Sequence, residues 1–279
     1  FILVLVNSNS KANTIFFDSK NIKIENDGKM IFATKGKAKI PSNNLIIEGD
    51  KFIYNKEISE LIVIDDVKYF DNENKIYIES EKIIYNEIKN TLFSKSQTYI
   101  ISDNFYKINS SDVLYDRNIN RISSNELTTV ADHNKNKFVF NKGLNFNLNN
   151  EIISSKEIVA TDKNSNNYFF ENSKINLKKN EIIGKEVFVE FDDSFFGNKN
   201  NDPMLKGRGI ISNDNKTKIY KTVFSTCSIE NKSCRGWEMQ SEIFTHDKIK
   251  KLFIYENSWF KVFGKKVAYV PYFNHPDPS

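Results

Sequence analysis

Two cysteines and three histidines are the residues of this 279-residue chain best suited to redox or metal chemistry. Six residues lie between Cys227 and Cys234, a spacing that predicts a local disulfide in an oxidising compartment, although two free thiols remain open. His133, His246 and His275 stand too far apart in the sequence to form a recognisable metal motif. The sequence therefore predicts no metal site.

Catalytic motifs are also missing from the sequence. Gly207-Arg208-Gly209 lacks the other elements of a phosphate-binding loop, and no Gly-x-Ser-x-Gly nucleophile elbow occurs. Carboxylates are numerous, so a pair suited to glycoside hydrolysis remains an open alternative. We interpret the chain as a protein without enzymatic activity and without a cofactor.

Composition favours strands over helices. The chain contains 23 Phe and 12 Tyr, and these aromatic residues suit half-buried, pleated surfaces. The net charge is +4, but lysines and acidic residues alternate almost everywhere. Lys248, Lys250 and Lys251, followed by Lys265 and Lys266, form the densest basic stretch. Because a nucleic-acid interface needs a basic stripe with stacking aromatics, we expect a solvated sheet face and no nucleic-acid partner.

The first residues suggest export. Phe1–Val6 is purely apolar and is followed by a polar stretch with the small residues Ser10 and Ala12, as at the end of a signal peptide. A buried first strand is the alternative. No other stretch reaches the ~20 apolar residues of a membrane helix. We therefore expect a periplasmic or extracellular protein.

A repeat of about 31 residues organises most of the chain. A short sequence pattern recurs six times. Each copy has an apolar residue at or near its end, and these apolar residues are separated by 30 or 31 positions. The markers are Ile24, Tyr54, Tyr85, Tyr115, Phe146 and Leu177. At about 3.3 Å per residue, each repeat has room for three short strands with turns. Helix signals are poor, so the sequence predicts an all-β stack of antiparallel strands.

Two geometries fit such a stack. A closed solenoid would fill its interior with side chains, whereas an open, V-shaped jelly roll would leave an apolar trough between two sheets. Bulky Phe, Tyr and Ile residues favour the wider, open form. In either geometry the first unit would present an unpaired strand, with Ile15, Phe17, Ile22 and Ile24, to which another protein could add a strand. A capped end is the alternative.

The last residues carry a family resemblance. The run from Phe224 through Cys234 and Trp237 to Asn257, and the closing segment with Tyr269, Pro271, Tyr272, Phe273 and Pro276, resemble the junction before the membrane barrel in the lipopolysaccharide assembly proteins (LptD, the organic solvent tolerance family). The repeat resembles the β-jelly-roll units of the same transport bridge, the OstA/LptA type. The chain departs from the family at Lys266, where proline is common, and in having Cys234.

The resemblance implies a periplasmic conduit of the outer membrane. Such a domain receives lipopolysaccharide from a bridge protein by edge-strand addition, shields its acyl chains in the trough, and passes it to a barrel that works with a plug lipoprotein. It also implies that Cys227–Cys234 pairing could exchange with cysteines of the barrel. The implied division is a signal-peptide remnant (1–12), a lipid-carrying domain (13–197) and a terminal module (198–279) leading into a barrel outside this chain.

Within that resemblance, repeat residues become candidates for contact with lipid. Each of them could equally be ordinary core packing between the sheets. The alternatives for the whole chain are a free-standing bridge protein and a β-solenoid adhesin or polysaccharide-binding rod. The candidate lining residues are Ile47, Tyr54, Ile78, Tyr85, Tyr115, Phe146 and Leu177.

Overall fold

The prediction of an all-β, antiparallel fold is confirmed. A computed structural model describes residues 15–103, 105–132, 136–161, 165–191, 203–226 and 236–277. Strands make up 74% of these residues, and the 3-10 turn Pro41–Asn43 is the one helical segment among them. None of the described residues belongs to a helix with the length and hydrophobicity needed to cross a bilayer.

Twenty strands follow one another along the chain, and most are ten to twelve residues long. They are β1 (Phe16–Glu25), β2 (Met30–Ile40), β3 (Leu45–Asn55), β4 (Glu60–Asp71), β5 (Ile76–Asn86), β6 (Thr91–Ser94), β7 (Thr98–Ser102), β8 (Tyr106–Ser110), β9 (Val113–Asp116), β10 (Arg121–Ser124), β11 (Thr128–Ala131), β12 (Lys137–Asn147), β13 (Ile152–Thr161), β14 (Asn167–Asn176), β15 (Glu181–Glu190), β16 (Met204–Ser212), β17 (Lys216–Ser225), β18 (Trp237–Asp247), β19 (Leu252–Val262) and β20 (Lys265–Pro276).

Each long strand pairs with its neighbours in the chain, which makes an antiparallel meander. β6 and β7 both pair with β5, and β10 and β11 both pair with β12, so each of these couples is one interrupted strand. The chain forms two compact units, residues 1–103 and 104–279. β1 to β7 belong to the first unit and β8 to β20 to the second.

A repeat contains two long strands, so the expectation of three short ones is wrong. β4 and β5, for example, occupy most of one 31-residue period. The error arises from the polar middle of the long strands, which reads as a turn. Asp65 and Asp66 have positive φ values there, and the pairing of β4 with β5 shifts register between Ile64 and Val67. The chain continues as a strand past this irregularity, so each long strand consists of two arms.

The two arms of a strand face each other across the interior. Tyr69 lies in one arm of β4, and Tyr85 lies in the arm of β5 that pairs with Leu61. Leu61 precedes Tyr69 by eight residues, a distance of roughly 26 Å along an extended strand. The Tyr69 and Tyr85 rings are nevertheless 6.4 Å apart. The sheet therefore folds over on itself, and its apolar side chains pack between the arms.

Turns at the two ends of the long strands form two rims in each unit. In each unit, the rim that we call the isoleucine rim contains the turns that follow β1, β3 and β5 (first unit) or β9, β12, β14, β16 and β18 (second unit). Four of these turns have an exposed isoleucine at the tip, namely Ile58, Ile88, Ile119 and Ile249. The turns that follow β2 and β4 belong to the opposite rim. Backbone hydrogen bonds connect successive turns of a rim, such as Glu87 N–H to the Ser59 carbonyl at 2.9 Å.

Candidate functional site

The structure places six of the seven candidate lining residues in the interior between the arms. Five of them have no exposed surface, and Tyr54 is 7% exposed. Leu177 differs, because it follows the end of β14 in a turn and is half-buried, while Ile175 takes the interior position. The five fully buried residues are Ile47, Ile78, Tyr85, Tyr115 and Phe146.

Aromatic rings from opposite arms meet along this interior. In the second unit, Tyr106 of β8 and Phe146 of β12 are 5.3 Å apart in an edge-to-face arrangement, and Phe224 and Tyr255 are 6.4 Å apart. In the first unit, Phe17 lies 6.3 Å from Tyr54. Such pairs contribute about 0.5–1.5 kcal/mol beyond their buried area. The interior is thus an aromatic layer filled by its own side chains at these points.

The two rims of the first unit meet at a line of polar contacts, which we call the seam. The Asn43 side chain, in the turn between β2 and β3, donates to the Tyr85 hydroxyl at 2.9 Å and to Asn90 Oδ1 at 3.4 Å. Tyr85 also donates to Asn90 at 3.0 Å. Asn43 and Asn90 lie on opposite rims, so these hydrogen bonds close the fold over the aromatic layer.

A matching seam is present in the second unit. Tyr106, at the start of β8, donates its hydroxyl hydrogen to Glu151 Oε2 at 2.6 Å. Glu151 lies in the turn after β12, on the isoleucine rim. Burial, and next the bond to Glu151, raises the pKa of Tyr106, so this hydroxyl stays protonated and remains a donor. Polar contacts therefore close the interior in both units.

Glu87 is a buried carboxyl beside the seam of the first unit. Its side chain is 8% exposed, and Tyr54 donates to Oε2 at 2.7 Å. Oε1 is buried and has no hydrogen-bond partner among the residues that the structure describes. Burial raises the pKa of Glu87, and the Tyr54 hydrogen bond offsets part of that rise. This carboxyl and the seam residues Asn43, Asn90 and Glu151 were not identified from the sequence, where they stand among many similar polar turn residues.

Strand addition by another protein requires an accessible edge at β1. β1 pairs with β2, and no second partner of β1 is found in the described part of the chain. Ile22 and Ile24 are 49% and 60% exposed, whereas Ile15 and Phe17 are half-buried. Strand addition by a partner remains a prediction.

The carboxy-terminal motif forms the last hairpin of the meander. Trp237 opens β18 and packs against Phe224 and Phe260, with ring centroids 5.8 and 6.0 Å away. The other motif residues lie on β20, which pairs with β19 and is exposed along most of its length. They are Tyr269, Pro271, Tyr272, Phe273 and Pro276.

The residues singled out for redox and metal chemistry do not assemble into a centre within the described structure. Cys227, Cys234 and His133 lie outside the described residues. His246 contacts Asp277, with 2.7 Å between Nε2 and Oδ2, and burial lowers the pKa of this imidazole despite the carboxylate. His275 stacks on Tyr255. Within the described ranges, no three His, Cys, Asp or Glu side chains are grouped so as to hold a metal ion.

Comparisons with known proteins supply no further guide to the site. No protein-family model matches the chain, and no curated protein matches its sequence.

Proposed function

We propose that this chain is a periplasmic lipid-carrying domain of an outer-membrane lipopolysaccharide translocon. In this proposal it is not an enzyme. It receives lipopolysaccharide from a bridge protein at the β1 edge, carries the acyl chains between its arms, and passes them to a membrane barrel with its plug lipoprotein. The observation that carries the proposal is the apolar layer that each unit encloses between two arms and closes with a polar seam.

The interior suits acyl chains in its chemistry. Aromatic and aliphatic side chains from opposite arms fill it, and several acyl chains would gain about 25 cal/mol for each Å² of apolar surface they bury there. Five of the lining residues have no exposed surface in the closed form. Lipid must therefore enter by parting the arms, and the open, V-shaped jelly roll is the form we propose for the loaded state.

The seam is suited to such opening because the contacts that join Asn43 to Tyr85 and Asn90 are polar. Separating Asn43 from Tyr85 and Asn90 exchanges hydrogen bonds within the protein for hydrogen bonds to water, and each exchange costs only about 0.5–1.5 kcal/mol. The resemblance of the carboxy-terminal segment to the barrel junction of the lipopolysaccharide assembly proteins supports the same proposal.

One observation favours a second candidate. The interior is filled by side chains, as expected for a β-solenoid rod that binds polysaccharide on its surface. Such a rod would have no need to open. The experiment must therefore ask whether lipid reaches the interior and whether this requires the seam to part.

The test places a photoreactive amino acid at Ile78, inside β5, and at Tyr77, which points to the other face of the same strand. A second pair of proteins also carries Asn43→Cys and Asn90→Cys, joined by oxidation or by a short bis-maleimide. We expect lipopolysaccharide to crosslink at position 78 but not at position 77, and the crosslink at 78 to disappear when the seam is locked and to return when an oxidised lock is reduced.

Three outcomes would contradict the proposal. They are the absence of any lipopolysaccharide crosslink at position 78, equal crosslinking at positions 77 and 78, and crosslinking at 78 that persists in the locked protein. Binding of soluble polysaccharide, unchanged by the lock and without any lipid crosslink, would support the rod instead.

A further inference from the structure

Three turns of the isoleucine rim in the second unit form a basic surface, which we call the basic rim. It comprises residues 176–180, 212–216 and 247–251 and contains six lysines against two aspartates. The three turns connect β14 to β15, β16 to β17 and β18 to β19. Neighbouring strands are ~4.8 Å apart, so successive turns on one rim lie roughly 10 Å from each other.

Hydrogen bonds hold these turns side by side. Lys248 N–H donates to the Asn215 carbonyl at 2.9 Å, and Lys248 Nζ donates to the Asn213 carbonyl at 2.6 Å. Asn180 donates to Asp214 at 3.4 Å. The ammonium of Lys248 therefore links two turns. Through these hydrogen bonds the three turns of the basic rim form one continuous surface.

The remaining charges point to an external anion. Lys178, Lys179, Lys250 and Lys251 are exposed and make no ion pair among the described residues. Both acids of the rim are engaged, since Asp214 accepts from Asn180 and the buried Asp247 lies 3.4 Å from Lys216. With six lysines against two aspartates, the basic rim thus carries an excess of positive charge.

An apolar tip lies among these cations. Ile249 is 70% exposed, and the sequence around it is Lys248-Ile249-Lys250-Lys251. A nucleic acid would require stacking aromatics, and the three turns contain none. An aliphatic tip flanked by lysines instead matches a membrane interface, where the apolar group enters the acyl boundary and the cations meet anionic headgroups.

We propose that the basic rim docks on the surface of a bilayer that contains anionic phospholipid, with Ile249 inserted at the interface. The inference deepens the proposed function and rests on it in one respect, namely the proposed barrel that would follow β20. This strand runs towards the basic rim. Asp277 N–H donates to the Lys251 carbonyl at 2.8 Å, so the segment that would continue into the proposed barrel leaves the unit beside the basic rim. Docking there would orient the second unit towards the membrane.

The test measures co-sedimentation of the full chain with vesicles of phosphatidylethanolamine and phosphatidylglycerol, and with phosphatidylcholine vesicles as reference. Each lysine near an anionic surface contributes about five-fold in partitioning, so Lys250→Gln with Lys251→Gln should weaken binding roughly 25-fold. Ile249→Asn should weaken it about ten-fold. Added salt should weaken the unaltered chain more than the double lysine variant.

The hairpin between β19 and β20 provides the matched control. Its tip carries Phe263, 76% exposed, next to Gly264 and Lys265, but it lies at the opposite rim. Phe263→Asn with Lys265→Gln should leave vesicle binding unchanged. The apolar segment Phe1–Val6 is present in every variant, so its contribution cancels in the comparison.

A loss of binding in the control pair with none in the basic-rim variants would overturn the proposal, as would equal binding to phosphatidylcholine vesicles. Competition by soluble RNA that matches competition by anionic vesicles would also overturn it. Crosslinking of lipopolysaccharide from position 78 is measured on the same variants. If lipopolysaccharide still crosslinks at position 78 but the chain does not bind vesicles, only the proposal of membrane docking is contradicted. If the chain binds vesicles but lipopolysaccharide does not crosslink, the lipid-carrying function is contradicted instead.

Discussion

At the scale of single residues, Glu87 has the clearest physical consequence. Burial raises its pKa above the ordinary 4.5, so the folded state keeps a proton that the unfolded chain loses as the pH rises. Between the unfolded pKa and the raised folded pKa, the folded state binds more protons than the unfolded state. The free energy of unfolding therefore falls as the pH rises through that window.

Two variants isolate this effect. Glu87→Gln should remove the fall in the free energy of unfolding, measured by urea denaturation from mildly acidic to neutral pH. Tyr54→Phe should extend the fall to higher pH, because it removes the hydrogen bond that holds the pKa of Glu87 down. A Glu87→Gln profile parallel to that of the unaltered chain would show that this carboxyl titrates alike in both states.

At the scale of secondary-structure elements, the attachment of β1 depends on a glycine. Gly36 in β2 pairs with Ser19, and a methyl group at Gly36 would overlap the Asp18 carbonyl oxygen and approach Ser19 Cα to 2.6 Å. These are backbone atoms, which cannot move aside without separating the strands. Gly36→Ala should therefore detach β1 while β3 to β5 keep their pairing.

Hydrogen exchange measured by mass spectrometry checks this expectation. Amides of 16–25 should lose protection in Gly36→Ala, and those of 60–86 should keep it. Gly209→Ala is the matched control, since a methyl there would meet the Gly184 carbonyl oxygen at an ordinary 3.7 Å. Unchanged protection of β1 would mean that the strands adjust around the methyl group. In the proposed function, Gly36→Ala should also abolish binding of the bridge protein.

The sequence predicts the middle repeats better than the first and the last one. The regularly spaced residues Tyr54, Tyr85, Tyr115 and Phe146 are all buried in the interior. The spacing fails at Leu177, where the interior residue is Ile175, because a period of about 31 residues does not distinguish two apolar residues on either side of a strand end. The spacing alone treats Ile24 like the other markers, whereas its position on the predicted edge strand fits its 60% exposure.

The folding-over of the sheet was beyond prediction from the sequence. Polar residues in the middle of a strand have the same composition as a turn, and only the observed pairing shows that β4 continues past Asp65 and Asp66. The seam depends on this folding, because it joins Asn43 to Asn90, which are 47 residues apart in the chain. Local patterns contain no information on such contacts, whereas they do record the alternation of buried and exposed residues.

At the scale of the whole molecule, most long strands hydrogen-bond only with the strands before and after them in the chain. This arrangement resembles that of repeat proteins, whose stability is approximately a sum of nearest-neighbour terms. Each unit should then open from its terminal strand inwards. In the second unit β20 pairs with β19 alone among the described strands, so its amides should exchange before those of β18, and those of β18 before those of β13.

A pair of core variants distinguishes local from global opening in that unit. Phe244→Leu leaves a cavity in the cluster with Phe253 and Tyr255, whose rings lie 5.3 and 5.2 Å away, and should cost on the order of 1 kcal/mol. Exchange should become about five-fold faster in β18 to β20 and stay unchanged in β12 and β13. Phe146→Leu should instead accelerate exchange in β12 and β13 and leave it unchanged in β18 to β20. Equal acceleration throughout the unit in either variant would show that it unfolds as one cooperative body, in which case lipid could not enter by local parting of the arms.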